Sequence, residues 1–182
     1  MTRALLPNKW RTEQLTVQDS TLEQVQELQQ INDLLPTIRG WTGVEVDGVS
    51  TDRIQPALLE GVLPPNGSKE LFRLQSIHFS LTGQLIGFLG MYHGFPDAET
   101  LWMNVIAIHP SYQRQGYGSE LMGELSNLVG QMGRFTRMRG FICLENLPSL
   151  RFHVGAGFDK IVTIAEDKTN SPETHILLEK SV

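Results

Sequence analysis

The chain has 182 residues, of which 40% are hydrophobic and 19% charged, and its formal net charge is −5. This composition predicts one globular domain over residues 1–182, and the acidic balance argues against a nucleic-acid partner. With no apolar run near the roughly 18 residues that span a membrane, no secretory signal pattern and a single cysteine, Cys143, we expect a cytoplasmic protein without a membrane partner.

The beginning of the chain predicts one strand and one helix. Residues 1–12 form a lead-in without predicted structure, and residues 14–17 form a short strand. Ser20 and Glu23 have the spacing of a capping box, in which each side chain bonds the other residue's backbone. The apolar residues that follow recur at helical spacing, so a helix is predicted from this box until Pro36.

A loop and a second short helix come next. Residues 40–50 are rich in glycine and small side chains and contain Trp41, which predicts a loop. Residues 52–60 predict the helix, although Pro56 lies inside it. Residues 61–67 contain prolines and glycines that end it.

The middle of the chain predicts three strands. Residues 71–81 and 85–92 form a hairpin around the turn at Thr82 and Gly83. The apolar pattern slips near Gln75 and Ser76, which indicates a bulge. Residues 101–108 are almost continuously apolar, as in a strand that is buried on both faces.

A loop with two glycines separates that strand from the next helix. It reads Gln113-x-x-Gly116-x-Gly118, and an amphipathic pattern follows it. Backbone N–H groups at a helix start are unpaired and attract anions, and glycines allow an anion to approach closely. The loop therefore predicts a diphosphate site. An NTPase loop would need a lysine after the glycine, and a dinucleotide loop would need glycine where Leu121 stands.

The second half of the chain alternates helices and strands. A stripe of apolar residues over 121–132 predicts a helix that Gly130 and Gly133 end. The strand at 141–144 that follows should lie parallel to the strand at 101–108, because a helical crossover joins them.

A short helix and two terminal strands complete the prediction. Asn146 is a helix cap with Pro148 in the first turn, and Gly157 is predicted as the left-handed end of that helix. Residues 158–164 and 174–178 are predicted strands around a turn at 169–172.

The glycine loop resembles the coenzyme A pyrophosphate loop of the GNAT (general N-acetyltransferase) superfamily, whose pattern is Arg/Gln-x-x-Gly-x-Gly/Ala. A second family pattern also resembles this chain, because Asn146, Gly157 and Phe158 match it. His153 stands where many members carry a tyrosine. The resemblance covers the C-terminal half of the chain and is much weaker over residues 1–70.

The resemblance implies an α/β fold of the GNAT type. It has a mixed, mostly antiparallel sheet with one splayed parallel strand pair and helices on both faces. It also implies that acetyl-CoA binds as cosubstrate in the splay, with its pantetheine arm along the strand at 101–108. The residues implied to bind the cofactor are Ile106, Ala107, Ile108, Gln113, Arg114, Gln115, Gly116, Tyr117, Gly118, Ser119, Asn146, Ser149 and Phe152.

The activity that the resemblance implies is transfer of an acetyl group to a primary amine by direct attack, with the backbone N–H of Ile106 stabilising the oxyanion. His153 would protonate the departing thiolate, as an imidazolium or through a neutral N–H. Trp102 and Asn104 stand at the inward positions where some members carry a base, and neither is a base at neutral pH. We expect Asn104 to hold a water that relays the proton.

Several alternatives remain open at this point. Four other side chains are candidate bases: Glu99, Asp97, His93 and His78. Cys143 is predicted as a small buried hydrophobe, and no histidine, cysteine or carboxylate cluster has metal-ligand spacing. The chain could instead be a non-catalytic module that binds or senses acyl-CoA. An enzyme could also use another acyl group or acetylate a protein N-terminus or lysine, and a homodimer is left open.

Overall fold

The computed structural model describes residues 5–35, 38, 40–42, 45–46, 49–50, 52–166 and 174–182. Its α-helices are α1 (Val25–Asp33), α2 (Ile54–Glu60), α3 (Tyr117–Gln131) and α4 (Leu147–Gly155). Its strands are β1 (Lys9–Arg11), β2 (Leu15–Asp19), β3 (Glu45–Val46), β4 (Val49–Ser50), β5 (Phe72–Phe79), β6 (Leu85–His93), β7 (Thr100–Ile108), β8 (Arg137–Cys143), β9 (Lys160–Glu166) and β10 (Thr174–Ser181).

Eight of these strands form one sheet in the order β1-β2-β5-β6-β7-β8-β10-β9. Every neighbouring pair is antiparallel except β7 and β8, which are parallel because α3 crosses over between them. The predicted mixed sheet with one parallel pair is therefore confirmed. The short strands β3 and β4 pair separately with each other.

Helices cover both faces of this sheet. The predicted apolar stripe of α3, with Leu121 and Leu125, packs in the same cluster as Leu89 of β6. Leu28 of α1 packs in a second cluster with Phe88, the neighbour of Leu89. Since successive side chains of a strand point to opposite faces, the two clusters lie on opposite sides of the sheet. No helix among the described residues is long and apolar enough to cross a membrane.

Two local predictions for the first helix differ from the structure. The capping pair lies one residue later than expected, since the N–H of Thr21 donates to Oε1 of Gln24 at 3.0 Å, whereas Ser20 N–H bonds the carbonyl of Leu74. The first turn is a 3-10 turn at Leu22–Gln24, and α1 follows it. Pro36, expected to end the helix, lies outside the described residues, as does the predicted turn at 169–172.

The predicted lead-in contains the short strand β1, which pairs with β2. Three residues are too few to show a period, so pairing with β2 decides their structure. The bulge expected near Gln75 and Ser76 of β5 lies instead on β6, because Ile77 pairs with Gly87 and His78 with Leu85, which leaves Ile86 as the extra residue.

His93, one of the candidate bases, lies in the core. Its side chain is fully buried, Nδ1 donates to the carbonyl of Leu71 at 2.9 Å, and Nε2 accepts from the N–H of Leu6 at 3.3 Å. Burial lowers the pKa of His93 to about 4 because a charged ring would lose its hydration. A proton on Nε2 would also face the Leu6 N–H, so His93 is a structural, neutral histidine.

We expect the free energy of unfolding to decrease as the pH falls from 6.5, the ordinary pKa of histidine, to about 4, the pKa of folded His93. The unfolded chain binds the extra proton in this window, so the stability is fully present above pH 6.5 and declines across the window by roughly 3 kcal/mol for His93. Urea unfolding at about pH 7 and about pH 4.5 measures the effect. The variant His93→Gln should be less stable near neutrality and lose less stability on acidification; parallel pH curves would contradict the assignment.

Candidate active site

The parallel pair β7 and β8 opens into a splay. The two strands pair only from Thr100 to Trp102, against Arg137 to Arg139, and separate beyond that point. The pairing of β7 with β6 shifts between Gly90 and Met91, so that Asn104 is the extra residue of a bulge on β7. The space between the separated strands is the splay cleft. Its closed end lies beside Trp102, where the pairing of β7 with β8 stops.

The separation of the strands changes the burial of β7. The sequence predicted burial on both faces, but Trp102, Asn104, Ile106 and Ile108 are only half-buried and alternate with buried residues. The alternation arises because β8 leaves the strand and these positions border the cleft. The apolar pattern alone could not predict it, since a strand buried on both faces has the same composition.

The backbone of β7 directs polar groups into the splay. The N–H of His109 donates to the Ile86 carbonyl in β6 at 2.8 Å. Because alternate residues of a strand direct their N–H to the same side, the N–H groups of Ile106 and Ile108 point the other way, into the cleft. The carbonyl of Ile108 is occupied there by Nε2 of Gln113, which donates to it at 2.8 Å.

The glycine loop ends in a helix start that faces the same cleft. Gly116 is the N-cap of α3 in the left-handed region, with φ at 92°. The first backbone bond of the helix runs from the N–H of Glu120 to the carbonyl of Gly116 at 3.0 Å. The N–H groups of Tyr117, Gly118 and Ser119 precede that bond and lie at the positive end of the helix dipole. This arrangement suits a diphosphate.

The two glycines of the loop are needed for different reasons. A Cβ on Gly116 would touch no atom within 4 Å, so its positive φ is what requires glycine. A Cβ on Gly118 would lie 3.0 Å from Cε2 of Phe152, so its lack of a side chain lets α3 approach α4.

The splay cleft has a volume of about 440 Å³ at the end where the loop lies. The predicted cofactor residues that line it are Ile106, Ala107, Ile108, Gln113, Arg114, Gly116, Gly118, Ser119, Asn146, Ser149 and Phe152. Two predicted residues are directed elsewhere. Gln115 donates from Nε2 to the carbonyl of Ser111 at 2.8 Å, and the ring of Tyr117 packs edge-on against Phe79 at 5.1 Å. Sequence reasoning missed Tyr112, which also lines the cleft.

The cleft continues into a smaller space at its closed end, the vertex pocket, of about 230 Å³. Ile106, Asn146 and Ser149 line both parts, so the two are continuous. The side chains that give the vertex pocket its chemistry are Trp41, Trp102, Asn104, Phe141, His153 and His175. Asn146 caps α4, because its Oδ1 accepts the N–H of Ser149 at 3.2 Å, and so sets the position of that helix.

His153 projects from α4 to the vertex pocket. Its side chain is buried between the rings of Phe152 and Phe158, whose centroids lie 5.1 and 5.3 Å from the centroid of the imidazole. Nδ1 lies 2.8 Å from the carbonyl of Ser149. A carbonyl only accepts, so Nδ1 carries the proton and the neutral ring leaves Nε2 as an acceptor. Burial lowers the pKa of His153 below its ordinary value of 6.5, which favours that neutral form near pH 7.

Asn104 adds a second polar atom at the closed end of the cleft. Its Oδ1 is buried and has no hydrogen-bond partner among the described residues. A buried carbonyl oxygen without a donor costs free energy, so this atom is suited to accept a hydrogen bond from a water or a ligand.

The candidate bases proposed from the sequence do not line either part of the cleft. His93 lies in the core, and His78 on β5 bonds Ser76 and the carbonyl of Gly83. Asp97 and Glu99 lie where β7 begins, beside Arg137 at 2.9 and 4.0 Å. Among the residues that the structure describes, no carboxylate borders the vertex pocket.

Sequence reasoning missed His175 and described Cys143 incompletely. His175 of β10 pairs directly with Cys143 of β8, and both line the vertex pocket. Cys143 is half-buried rather than fully buried, and its thiol donates to Oε2 of Glu145 at 2.7 Å. Register between strands that are distant in sequence leaves no local signal, so nothing in the sequence indicated this pairing.

Comparisons with known proteins agree with this geometry. A sequence model of the "Acetyltransferase (GNAT) family" matches residues 62–158. No curated protein matches the chain. Among solved structures, an acetyltransferase of the GNAT family from Bacillus anthracis is similar over 95% of this chain and 98% of its own, with a TM-score of 0.70 and 15% identity.

Two further solved structures have the same fold. Spermidine N-acetyltransferase from Vibrio cholerae, in complex with CoA and spermine, is 12% identical, with a TM-score of 0.69 over 92% of this chain and 95% of that one. The ribosomal-protein-S18-alanine N-acetyltransferase from Escherichia coli is 15% identical, with a TM-score of 0.64 over 92% and 94%. At these identities the likeness concerns the fold alone.

Proposed function

The chain belongs to the GNAT family of acetyltransferases, and from this premise we propose that it transfers the acetyl group of acetyl-CoA to a primary amine by direct attack. The observation that carries the proposal is the open edge of β7, which leads from the N-terminus of α3 to the vertex pocket. We propose that residues 1–182 act as one cytoplasmic domain. Two of the similar solved structures are N-acetyltransferases of spermidine and of an alanine of ribosomal protein S18, which is consistent with an amine acceptor.

The cleft offers groups that suit each part of acetyl-CoA. The first N–H groups of α3 and the Arg114 side chain would hold the diphosphate. The N–H groups of Ile106 and Ile108 would pair with the pantetheine arm as a neighbouring strand does. Phe152 and Asn146 would border the arm. Acetyl-CoA, when bound, supplies an activated acetyl thioester.

His153 would move the proton. Its neutral Nε2 would accept a proton from the attacking amine, and the resulting imidazolium would give that proton to the departing thiolate. The sequence also allowed a neutral His153 to protonate the thiolate through its N–H. In the structure the Nδ1–H of His153 donates to the carbonyl of Ser149, so we propose the imidazolium as the proton donor. Oδ1 of Asn104 would hold a water or the amine itself, and the N–H of Ile106 would stabilise the negative charge on the acetyl oxygen.

A second candidate function is non-catalytic binding of acyl-CoA. The absence of a carboxylate from the described lining of the vertex pocket favours it, because a strong general base is missing there. Acetyl-CoA binding together with no acetylation of any amine would support this alternative. Turnover that depends on His153 would exclude it.

The first test is calorimetric titration with acetyl-CoA. We expect the wild type to bind and Gly116→Glu to bind at least about tenfold more weakly, because the new carboxylate would repel the diphosphate. Gly133→Glu is the matched control. Gly133 also has a positive φ, 62°, and a Cβ there would also meet no atom within 4 Å, but it lies beyond the far end of α3.

The control removes the effect of backbone strain from the comparison. Equal losses of affinity in both variants would mean that strain, and not the position of the charge, weakens binding. No binding by the wild type would reject the cofactor site and, with it, the acetyltransferase proposal.

A further inference from the structure

The vertex pocket has a continuous aromatic wall. The Trp102 ring lies edge-on to that of Phe141, with 5.6 Å between the ring centroids, and Phe95, which supports Trp102 from outside the lining, lies edge-on to it at 5.0 Å. Phe141 in turn lies edge-on to the His175 ring at 6.5 Å. These rings come from β7, β8 and β10 and from the segment before β7, so the wall exists only in the folded chain.

Trp41 forms a second aromatic element of the pocket. Its Nε1–H donates to Oδ1 of Asn32 at 2.9 Å, and its ring lies 5.8 Å from that of Phe88. The indole N–H is therefore already bonded, and the surface that Trp41 offers to a ligand is apolar and aromatic. These contacts hold the side chain in place before any ligand binds, which reduces the entropy lost on binding.

Two charged side chains near the pocket, Asp52 and Arg139, are engaged elsewhere. Asp52 accepts the N–H groups of Gly40 and Thr42 at 2.9 and 3.0 Å, which holds the backbone beside Trp41. Arg139 is paired with the buried Glu179 at 2.5 Å. Among the described lining residues there is no Asp, Glu, Lys or Arg. A polyamine would need carboxylates at its distal nitrogens, and an amino acid would need a cation for its carboxylate.

We propose that the acceptor is an arylalkylamine, a primary amine joined to an aromatic ring by a short chain. Its ring would pack against Trp41, Trp102 and Phe141, and its nitrogen would reach Oδ1 of Asn104 and the acetyl carbon. An engineered cavity of about 150 Å³ binds benzene, so the vertex pocket, at about 230 Å³, has room for one ring and a short chain. This inference rests on the proposed acetyl transfer.

In the reaction the amine nitrogen forms a bond to the acetyl carbon and the bond from that carbon to sulfur breaks. The nitrogen loses one proton, and the thiolate of coenzyme A gains one. The products are an N-acetyl arylalkylamine and free coenzyme A. No oxidant or reductant is required.

The experiment compares 2-phenylethylamine and tryptamine with spermidine and alanine, by release of the coenzyme A thiol. We expect kcat/KM for the aromatic amines to exceed that for the other two by roughly tenfold or more. Trp102→Leu should lower kcat/KM for 2-phenylethylamine by a similar factor, whereas Trp102→Phe should retain most of it. Both variants should bind acetyl-CoA within about twofold of the wild type, which shows that they fold.

A second readout does not depend on turnover. Titration of 2-phenylethylamine into the protein saturated with coenzyme A should give binding that Trp102→Leu weakens. Acetylation of spermidine or alanine at rates equal to or above those of the aromatic amines would overturn the aromatic acceptor and leave acetyl transfer intact. Binding of the aromatic amine without acetylation of any amine would support the pocket and overturn the proposed reaction. If the protein neither binds 2-phenylethylamine nor prefers the aromatic amines as acceptors, the inference is overturned.

Discussion

Replacement of His153 by phenylalanine is expected to lower kcat by roughly a hundred- to ten-thousand-fold, the usual contribution of a positioned acid or base. Phenylalanine keeps an aromatic ring between Phe152 and Phe158 but removes both ring nitrogens of His153. The affinity for acetyl-CoA should stay within about twofold, since the loop at Gly116 is untouched. Steady-state kinetics together with calorimetric titration measures both quantities.

The pH profile separates proton transfer from a packing role. Burial lowers the pKa of His153, so the neutral ring should persist below pH 6.5 and kcat should decline only on further acidification. That acid limb should disappear in His153→Phe. His153→Tyr, which introduces the residue that many family members carry, should recover part of kcat. Unchanged turnover in His153→Phe would exclude His153 from the chemistry.

Replacement of Glu179 by alanine is expected to lower the free energy of unfolding by roughly 3–5 kcal/mol. Glu179 is only 5% exposed and receives hydrogen bonds from Arg139 Nε at 2.6 Å and Lys160 Nζ at 2.8 Å. Its removal would leave Arg139, whose side chain is 16% exposed, as an unpaired charge beside the closed end of the cleft. Urea unfolding near neutral pH measures the loss.

The matched control for this variant is Glu99→Ala. Glu99 also faces an arginine of β8, Arg137, but at 4.0 Å and with its own side chain 61% exposed. Solvent screens such a pair, so the loss should stay below about 1 kcal/mol. Equal losses for the two variants would show that burial of the Glu179 pair has no special effect.

Hydrogen bonds from Lys160 and Arg139 lower the pKa of Glu179. The stability that Glu179 contributes is therefore present above the ordinary pKa of a glutamate and is lost as the pH falls through the lowered pKa.

Much of the fold could be predicted because its signals are local. Each of these signals lies within a short continuous segment of sequence: the apolar stripe of α3, the turn at Gly83 and the cap at Asn146. The parallel pairing of β7 with β8 followed from the helix between them. The left-handed N-cap at Gly116 likewise belongs to a short motif, so the predicted diphosphate loop needed no knowledge of distant residues.

Short segments were predicted less well. The strand β1 has only three residues, and the capping pair lies one residue from the expected position. The local sequence does not distinguish strand from loop at β1, or Ser20 from Thr21 as the cap. Pairing with β2 decides the first, and the bond from the Ser20 N–H to Leu74 of β5 decides the second.

The sequence by itself determined the family, the order of most elements and the loop at Gly116, because short-range patterns carry that information. Tertiary structure alone decided which histidine faces the cleft and which is buried in the core. His93 and His153 are both neutral, buried rings, but strand β6 places one away from the splay and α4 places the other beside it. His175 enters the vertex pocket through its register with Cys143. Asn104 is the extra residue of the bulge on β7, and its Oδ1 has no hydrogen-bond partner in the part of the chain that the structure describes. Long-range strand register sets these positions, and side-chain periodicity along a single segment does not encode it.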